Sequence, residues 1–161
     1  MIVVSNSGPL IALAQIGKFD LLERLYDQIH IPLAVLEEVV TTGHGRPGTE
    51  DLAKADWIQN VEVQDTTAIT LLQERLDAGE SEAVVLALEI KADLLLIDEA
   101  RGRRIAEARG FNKSGTIGTL IVAKKHGLIQ AVKPSLDQLR IKGFHMSKAL
   151  YLEALRLAGE H

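Results

Sequence analysis

Two short apolar runs constrain this chain more than anything else, because each stops abruptly at a polar residue. Ile2-Val3-Val4 passes through Ser5 into Asn6-Ser7-Gly8-Pro9, and Leu94-Leu95-Leu96-Ile97 ends in Asp98-Glu99. A run without polar alternation marks a strand buried on both faces, and such strands belong to parallel sheets covered by helices. Helical patterns separate the strand patterns along the chain. The alternation predicts an α/β fold, a three-layer α/β/α sandwich with a mostly parallel central sheet in which residues 2–5 and 94–97 are central.

The remaining elements follow from punctuation and periodicity. Helices are predicted from Pro9 to Ile16, with Ser7 as a candidate cap, and from Phe19 to Tyr26. A short strand is expected at 28–31, then a helix entered at Pro32 and running to Val40, then a loop over 41–48. A short helix at 49–55 precedes an alternating strand, Trp57 to Val63, suited to a sheet edge. Thr66 to Leu76 and Ser81 to Ile90 read as helices, the second apolar nearly all round and so buried. Glu99 to Ala108 reads as a helix ending near Gly110, 111–113 as a last short strand, and Ile117 to Lys125 as a helix. Helical segments after Pro134 and over 147–157 finish the chain.

Acidic residues sit where these elements end. Glu37-Glu38 lies in the helix opened by Pro32, Gly79-Glu80-Ser81-Glu82 opens the buried helix, and Asp98 follows the second apolar run. In a strand–helix fold, strand C-termini and helix N-termini meet along one sheet edge. Carboxylates gathered there repel one another unless a divalent cation neutralises them, which is the layout of a Mg²⁺ or Mn²⁺ site.

Composition narrows the classes. The 161 residues suit one domain over 1–161, and a 47% hydrophobic content is ordinary for a globular protein. With no cysteine there is no disulfide frame, thiolate zinc site or cysteine nucleophile. The N-terminus enters a strand pattern directly, without a secretory signature, and no apolar stretch reaches spanning length, so a cytoplasmic protein with no membrane partner is expected. The net charge of −4 is unlike that of a passive nucleic-acid binder. It suits a nuclease whose carboxylates cluster at a metal while basic residues line the approach. The five histidines show no ligand spacing.

Several stretches together resemble the PIN-domain superfamily of metal-dependent ribonucleases, and within it a prokaryotic branch related to VapC-type toxins. They are Val3 to Ile11, Ile31-Pro32 with Val35 to Val39, Gly79 to Ala87, Leu95 to Glu99 with Arg101 and Arg104, Gly115 to Leu120, and Gly127 to Ile129. The resemblance implies phosphodiester hydrolysis in RNA with Mg²⁺ or Mn²⁺. Residue by residue it places the family's four acidic positions on Asn6, Glu38, Glu80 and Asp98. Glu82 also has a claim to the third; with Glu80 at the helix mouth, Glu82 is read as a supporting residue. Two helical positions two apart point about 200° apart, so both should not ligate one ion. Where the family carries its first Asp, this chain has Asn6, whose amide oxygen can ligate but brings no charge. The resemblance further implies contacts to RNA from Ser7, Arg101, Arg103, Arg104 and Lys113, a homodimer, and a small antitoxin protein as a partner.

Plain structural readings compete. Ser7 and Pro9 suit any helix start, Glu80 and Glu82 suit a first turn through the helix dipole, and Asp98 could cap the helix after it. The arginines of 101–109 could be a solvated face. Two functions stand at this point: an active ribonuclease, or a catalytically weakened PIN fold that binds RNA or protein. Asn6 separates them. A response-regulator-like domain is a remoter third, lacking a convincing switch Thr and Lys.

Overall fold

A computed structural model describes residues 1–42 and 45–160. Gly43 and His44, within the loop expected over 41–48, and His161 lie outside the described residues. Among the described residues five strands form one sheet: β1 (Val3–Ser5), β2 (Ile29–Pro32), β3 (Ile58–Val61), β4 (Leu94–Leu96) and β5 (Lys113–Ser114). Their order is β3-β2-β1-β4-β5 and every pairing is parallel. The two apolar runs are neighbours at the middle, with Val3, Val4 and Ser5 opposite Leu94, Leu95 and Leu96. The alternating strand, β3, is indeed at an edge.

Helices cover both faces, giving the expected three layers. Consecutive strand residues point to opposite sides, so the sheet divides the core in two. Val3, Ile29, Ile31 and Leu96 pack with α1 (Ser7–Gln15), α2 (Leu21–Tyr26), α8 (Thr116–Lys125), α9 (Lys133–Ile141) and α10 (Lys148–Leu157). Val4, Leu95 and Ile97 pack with α5 (Thr66–Leu72), α6 (Ala78–Glu89) and α7 (Ala100–Ala108). A short α4 (Thr49–Lys54) leads to β3.

Three local expectations are corrected. The helix after Pro32 does not run to Val40 as one α-helix. It is α3 (Leu33–Leu36) followed by a π-helical stretch, Glu37–Thr42. Pro32 closes β2 and is also the N-cap of α3. Ser7 is not a cap: Asn6 holds the N-cap position of α1, without a side-chain capping bond, and Ser7 is the first helical residue. Asp98 does not cap α7, whose N-cap is Glu99. Elsewhere the elements agree within a few residues, although Leu88 on the buried helix is exposed.

Candidate metal and nucleic-acid site

The C-terminal ends of β1 and β4 lie side by side, and this sets the site. Asn6 follows β1 and donates its backbone N–H to Leu96 O at 2.9 Å. Asp98 follows β4 by two residues and reaches across to α8. Its Oδ1 accepts the Thr116 backbone N–H at 2.8 Å, and its Oδ2 accepts the Thr116 hydroxyl at 2.7 Å. Asp98 therefore caps the helix after β5, two elements on from the one its sequence position suggests. Thr116 is a partner that sequence reasoning missed; its place at a helix entry, inside the Gly115 to Leu120 stretch, was the signal.

Glycines let backbone crowd these carboxylates. A Cβ on Gly115 would collide with Asp98 Oδ1, and one on Gly8 would stand 3.3 Å from Asp98 Oδ2. A Cβ on Gly79 would likewise drive into the Glu38 carboxylate. Glu38 comes from the π-helical stretch, a wider turn often found at functional sites. Its Oε2 accepts the Ser7 hydroxyl at 2.6 Å. Contacts thus run continuously from Gly79 through Glu38 and Ser7 to Gly8 and Asp98.

Glu80 lies in the first turn of α6 and forms a capping box with Asp77. The Glu80 N–H donates to Asp77 Oδ1 at 2.8 Å, and Asp77 N–H donates back to Glu80 Oε1 at 3.3 Å. The spacing Asp77-x-x-Glu80 is a readable signal that the sequence reading passed over. Glu80 Oε2 faces Gly102 of α7. Glu82 turns elsewhere: its Oε1 accepts the Ala34 N–H of α3 at 3.2 Å.

All three candidate acids hold protons more tightly than usual. Burial raises Asp98 against the opposing pull of Thr116 and the Arg103 charge. Burial raises Glu38, with the Asp77 and Glu82 charges adding and Ser7 and the Gly79 N–H opposing. Glu80 is pushed up to about 7, first by burial and then by Asp77 and Glu99. Asn6 is only 4% exposed, and its Oδ1 has no hydrogen-bond partner. Leaving such an atom unpaired costs roughly 1–3 kcal/mol.

Every donor here is oxygen, the ligand type of a hard divalent cation. A cation would satisfy the Asn6 oxygen and displace protons from the acids, so the donor chemistry fits. Among the described residues, no three carboxylate or imidazole groups stand grouped to hold one ion. Each acid is instead engaged by a protein donor.

Basic residues divide between two surroundings. Arg103 lies over the Asp98 turn, its Nη1 donating to Ile97 O at 3.1 Å. Lys113 pairs with Glu107 at 3.2 Å. Both line a cleft of about 860 Å³ that opens on Asp98, while the exposed Arg101 and Arg104 do not. A smaller hollow of about 270 Å³, beside Phe19 and Trp57, lies at the opposite sheet edge, where β3 begins.

A family model for the PIN domain (DUF3368) matches residues 2–160. The chain belongs to the PIN-domain family. PIN domains have a nuclease-type fold, generally use divalent metals, and point to RNA as partner. No curated protein matches the sequence. Among the described residues of this PIN domain, no helix is long and apolar enough to cross a membrane.

Proposed function

We propose that this PIN domain hydrolyses RNA phosphodiester bonds with Mg²⁺ or Mn²⁺ bound at its acidic edge. The observation that carries the reading is the buried, unpartnered Asn6 Oδ1 at the end of β1, the strand paired with the one that delivers Asp98. Asn6, Glu38, Glu80 and Asp98 would hold the cation, with Glu82 bracing α6 against α3. Such a cation, when bound, lowers the pKa of a water and offsets charge on phosphate oxygens. Asp98, locked by Thr116, is the fixed member of the set. Glu38 can ligate while still accepting the Ser7 hydroxyl, since a carboxylate offers about four acceptor sites. Arg103 and Lys113 neutralise the phosphate beside Asp98, Arg103 with the planar fork that suits it. Arg101 and Arg104 serve phosphates further along the strand.

Asn6→Asp is the direct test. One added charge contact at about 4 Å is worth on the order of 4 kcal/mol at an effective dielectric near 20. Mn²⁺ affinity by isothermal titration should rise at least about tenfold, and cleavage of a fluorogenic RNA should quicken. Wild type should be served better by Mn²⁺ than by Mg²⁺, since Mn²⁺ binds a given site more readily. Efficient wild-type cleavage in Mg²⁺ with no response to Asn6→Asp would defeat the charge argument.

One observation favours a second reading, a weakened PIN fold acting as a binding module. Asn6 brings no charge, and each acid already has a protein donor. Wild type and Asn6→Asp that both bind RNA and cleave none in Mn²⁺ would establish it. We expect the protein to work in the cytoplasm, and under the nuclease reading a small antitoxin is its candidate regulator. We also propose a homodimer, since Leu71 and Leu152 expose apolar surface on α5 and α10 outside the cleft. Light scattering at micromolar concentration should give twice the 17.6 kDa chain mass; a monomer would overturn it.

A further inference from the structure

The sheet ends on β3, and the outer side of that strand is bare. The Ile29 N–H donates to Trp57 O at 3.1 Å, and Ile29, His30, Ile31 and Pro32 lie opposite Ile58, Gln59, Asn60 and Val61. Alternate residues of a strand bond to a given neighbour. The backbone groups of Trp57, Gln59 and Val61 therefore face β2, and those of Ile58, Asn60 and Glu62 face away. The Ile58 N–H turns back to Ala55 O at 3.3 Å, and the Glu62 C=O takes the Gln64 side-chain amide at 3.3 Å. Among the described residues nothing bonds the Ile58 C=O, the Glu62 N–H or either backbone group of Asn60. Gln59 and Asn60 point to opposite faces of the sheet and both are exposed, so neither helical layer covers the middle of the strand. Such edges are usually blunted by Lys, Pro or a bulge. Residues 58–61 hold no Lys or Pro and pair with β2 without a bulge.

Charge decides what this edge can take. Residues 55–74 carry Asp56, Glu62, Asp65 and Glu74 and no Lys, Arg or His. A second copy of the chain, turned antiparallel about Asn60, would bring these acids together with no base between them, and like charges across strands are destabilising. At the start of the strand, the hollow of about 270 Å³ is walled by Phe19 and Trp57, whose ring centres stand 5.2 Å apart with the planes tilted by 46°. Asp20 and Asp51 border it against a single base, Lys54, and none of the three has an ion-pair partner among the described residues. The space falls below the roughly 300 Å³ at which small-molecule pockets begin, and it suits one side chain. A guanidinium stacks on aromatic faces and forks onto carboxylates. We propose that β3 takes up an extended, arginine-bearing segment of a partner protein as an added strand, with one arginine in the hollow beside Trp57. Main-chain bonds to Ile58, Asn60 and Glu62 hold that strand, and the acids select its charge. The edge lies at the other end of the sheet from β5, so its occupant leaves the cleft on Asp98 open. Nothing in this depends on the nuclease reading.

The test uses the full chain and a short fluorescent peptide of alternating Arg and Val, read by anisotropy. Wild type should bind it saturably. It should bind the same peptide N-methylated throughout about tenfold less tightly, because the charge is kept and the strand bonds are lost. That comparison needs no variant. Asn60→Pro removes only an N–H that faces away from β2, a position where an edge strand tolerates proline. It should leave thermal unfolding nearly unchanged and lower affinity about tenfold. Asp51→Lys, at an exposed position, should weaken binding several-fold. Equal affinity for the plain and methylated peptides would overturn the proposal, since charge alone would then account for binding. Wild-type affinity in a folded Asn60→Pro, or no saturable binding of the plain peptide, would overturn it too. Wild-type affinity in Asp51→Lys would remove the arginine from the hollow. A dimer that Asn60→Pro turns into a monomer would make a second copy the occupant and overturn the choice of partner.

Discussion

Asp98→Asn should leave a folded protein whose metal-dependent RNA cleavage is lost by about 100-fold or more. The substitution keeps the size and one acceptor oxygen of the side chain. The carbonyl oxygen can still take the Thr116 N–H, and the new amide can donate to the Thr116 hydroxyl. What goes is the charge, on the one candidate ligand that the fold already holds in place. The isosteric amide also fits the space that Gly8 and Gly115 leave for the carboxylate, where a Cβ at Gly115 would collide with it. Thermal unfolding should therefore move little while turnover of a fluorogenic RNA falls to background. Asp98→Ala should differ, losing turnover and also destabilising the fold by about 1–3 kcal/mol, because the Thr116 donors are left without a partner. An Asp98→Asn protein that cuts RNA at the wild-type rate would remove Asp98 from the chemistry.

The second large effect is a dependence on pH that a divalent cation should reverse. Glu80 titrates near 7 in the folded chain, and Glu38 and Asp98 are raised as well. A raised carboxyl means that the folded state binds the proton more tightly than the unfolded one. Its stabilising contribution is full below the unfolded value, about 4.5, and is lost as pH climbs through the folded value. In EDTA the protein should accordingly lose stability between about pH 5 and pH 7.5, read as a falling urea midpoint, and Glu80→Gln should flatten that slope. The acids shifted the other way, Asp137, Glu153 and Glu160, act in the acid range below this window. A cation competes with protons for the same oxygens, so the rise in melting temperature on adding Mn²⁺ should be larger at pH 7.5 than at pH 5.5. A stability that rises steadily across this window in EDTA would show that burial does not raise these acids as described.

Much of the scaffold was readable because its signals are local. Leu94 to Ile97 can hardly be anything but a doubly buried strand, and its end puts Asp98 at the sheet edge whatever the rest of the chain does. The π-helical stretch was not readable. Glu37-Glu38-Val39-Val40 continues a helical pattern, while the stretch that carries Glu38 to Ser7 packs against α1 and α4, contacts that no local pattern encodes. The capping box was legible in Asp77-x-x-Glu80 and was overlooked in favour of ligand chemistry. Thr116 lies 18 residues from Asp98. No spacing rule connects them, because only the order of strands in the sheet brings them together.

The divided core gives the acidic edge a mechanical meaning. Glu38 stands on a stretch rooted through Val39 in one half-core, Glu80 begins a helix rooted in the other, and Asn6 and Asp98 belong to the partition between them. The strands of that partition are two to four residues long, so both residues lie close to the body of the sheet. Whatever bridges these side chains fastens three layers at a single point, like a rivet through a laminate. Loosening either layer would then open the joint, and closing the joint would tighten both.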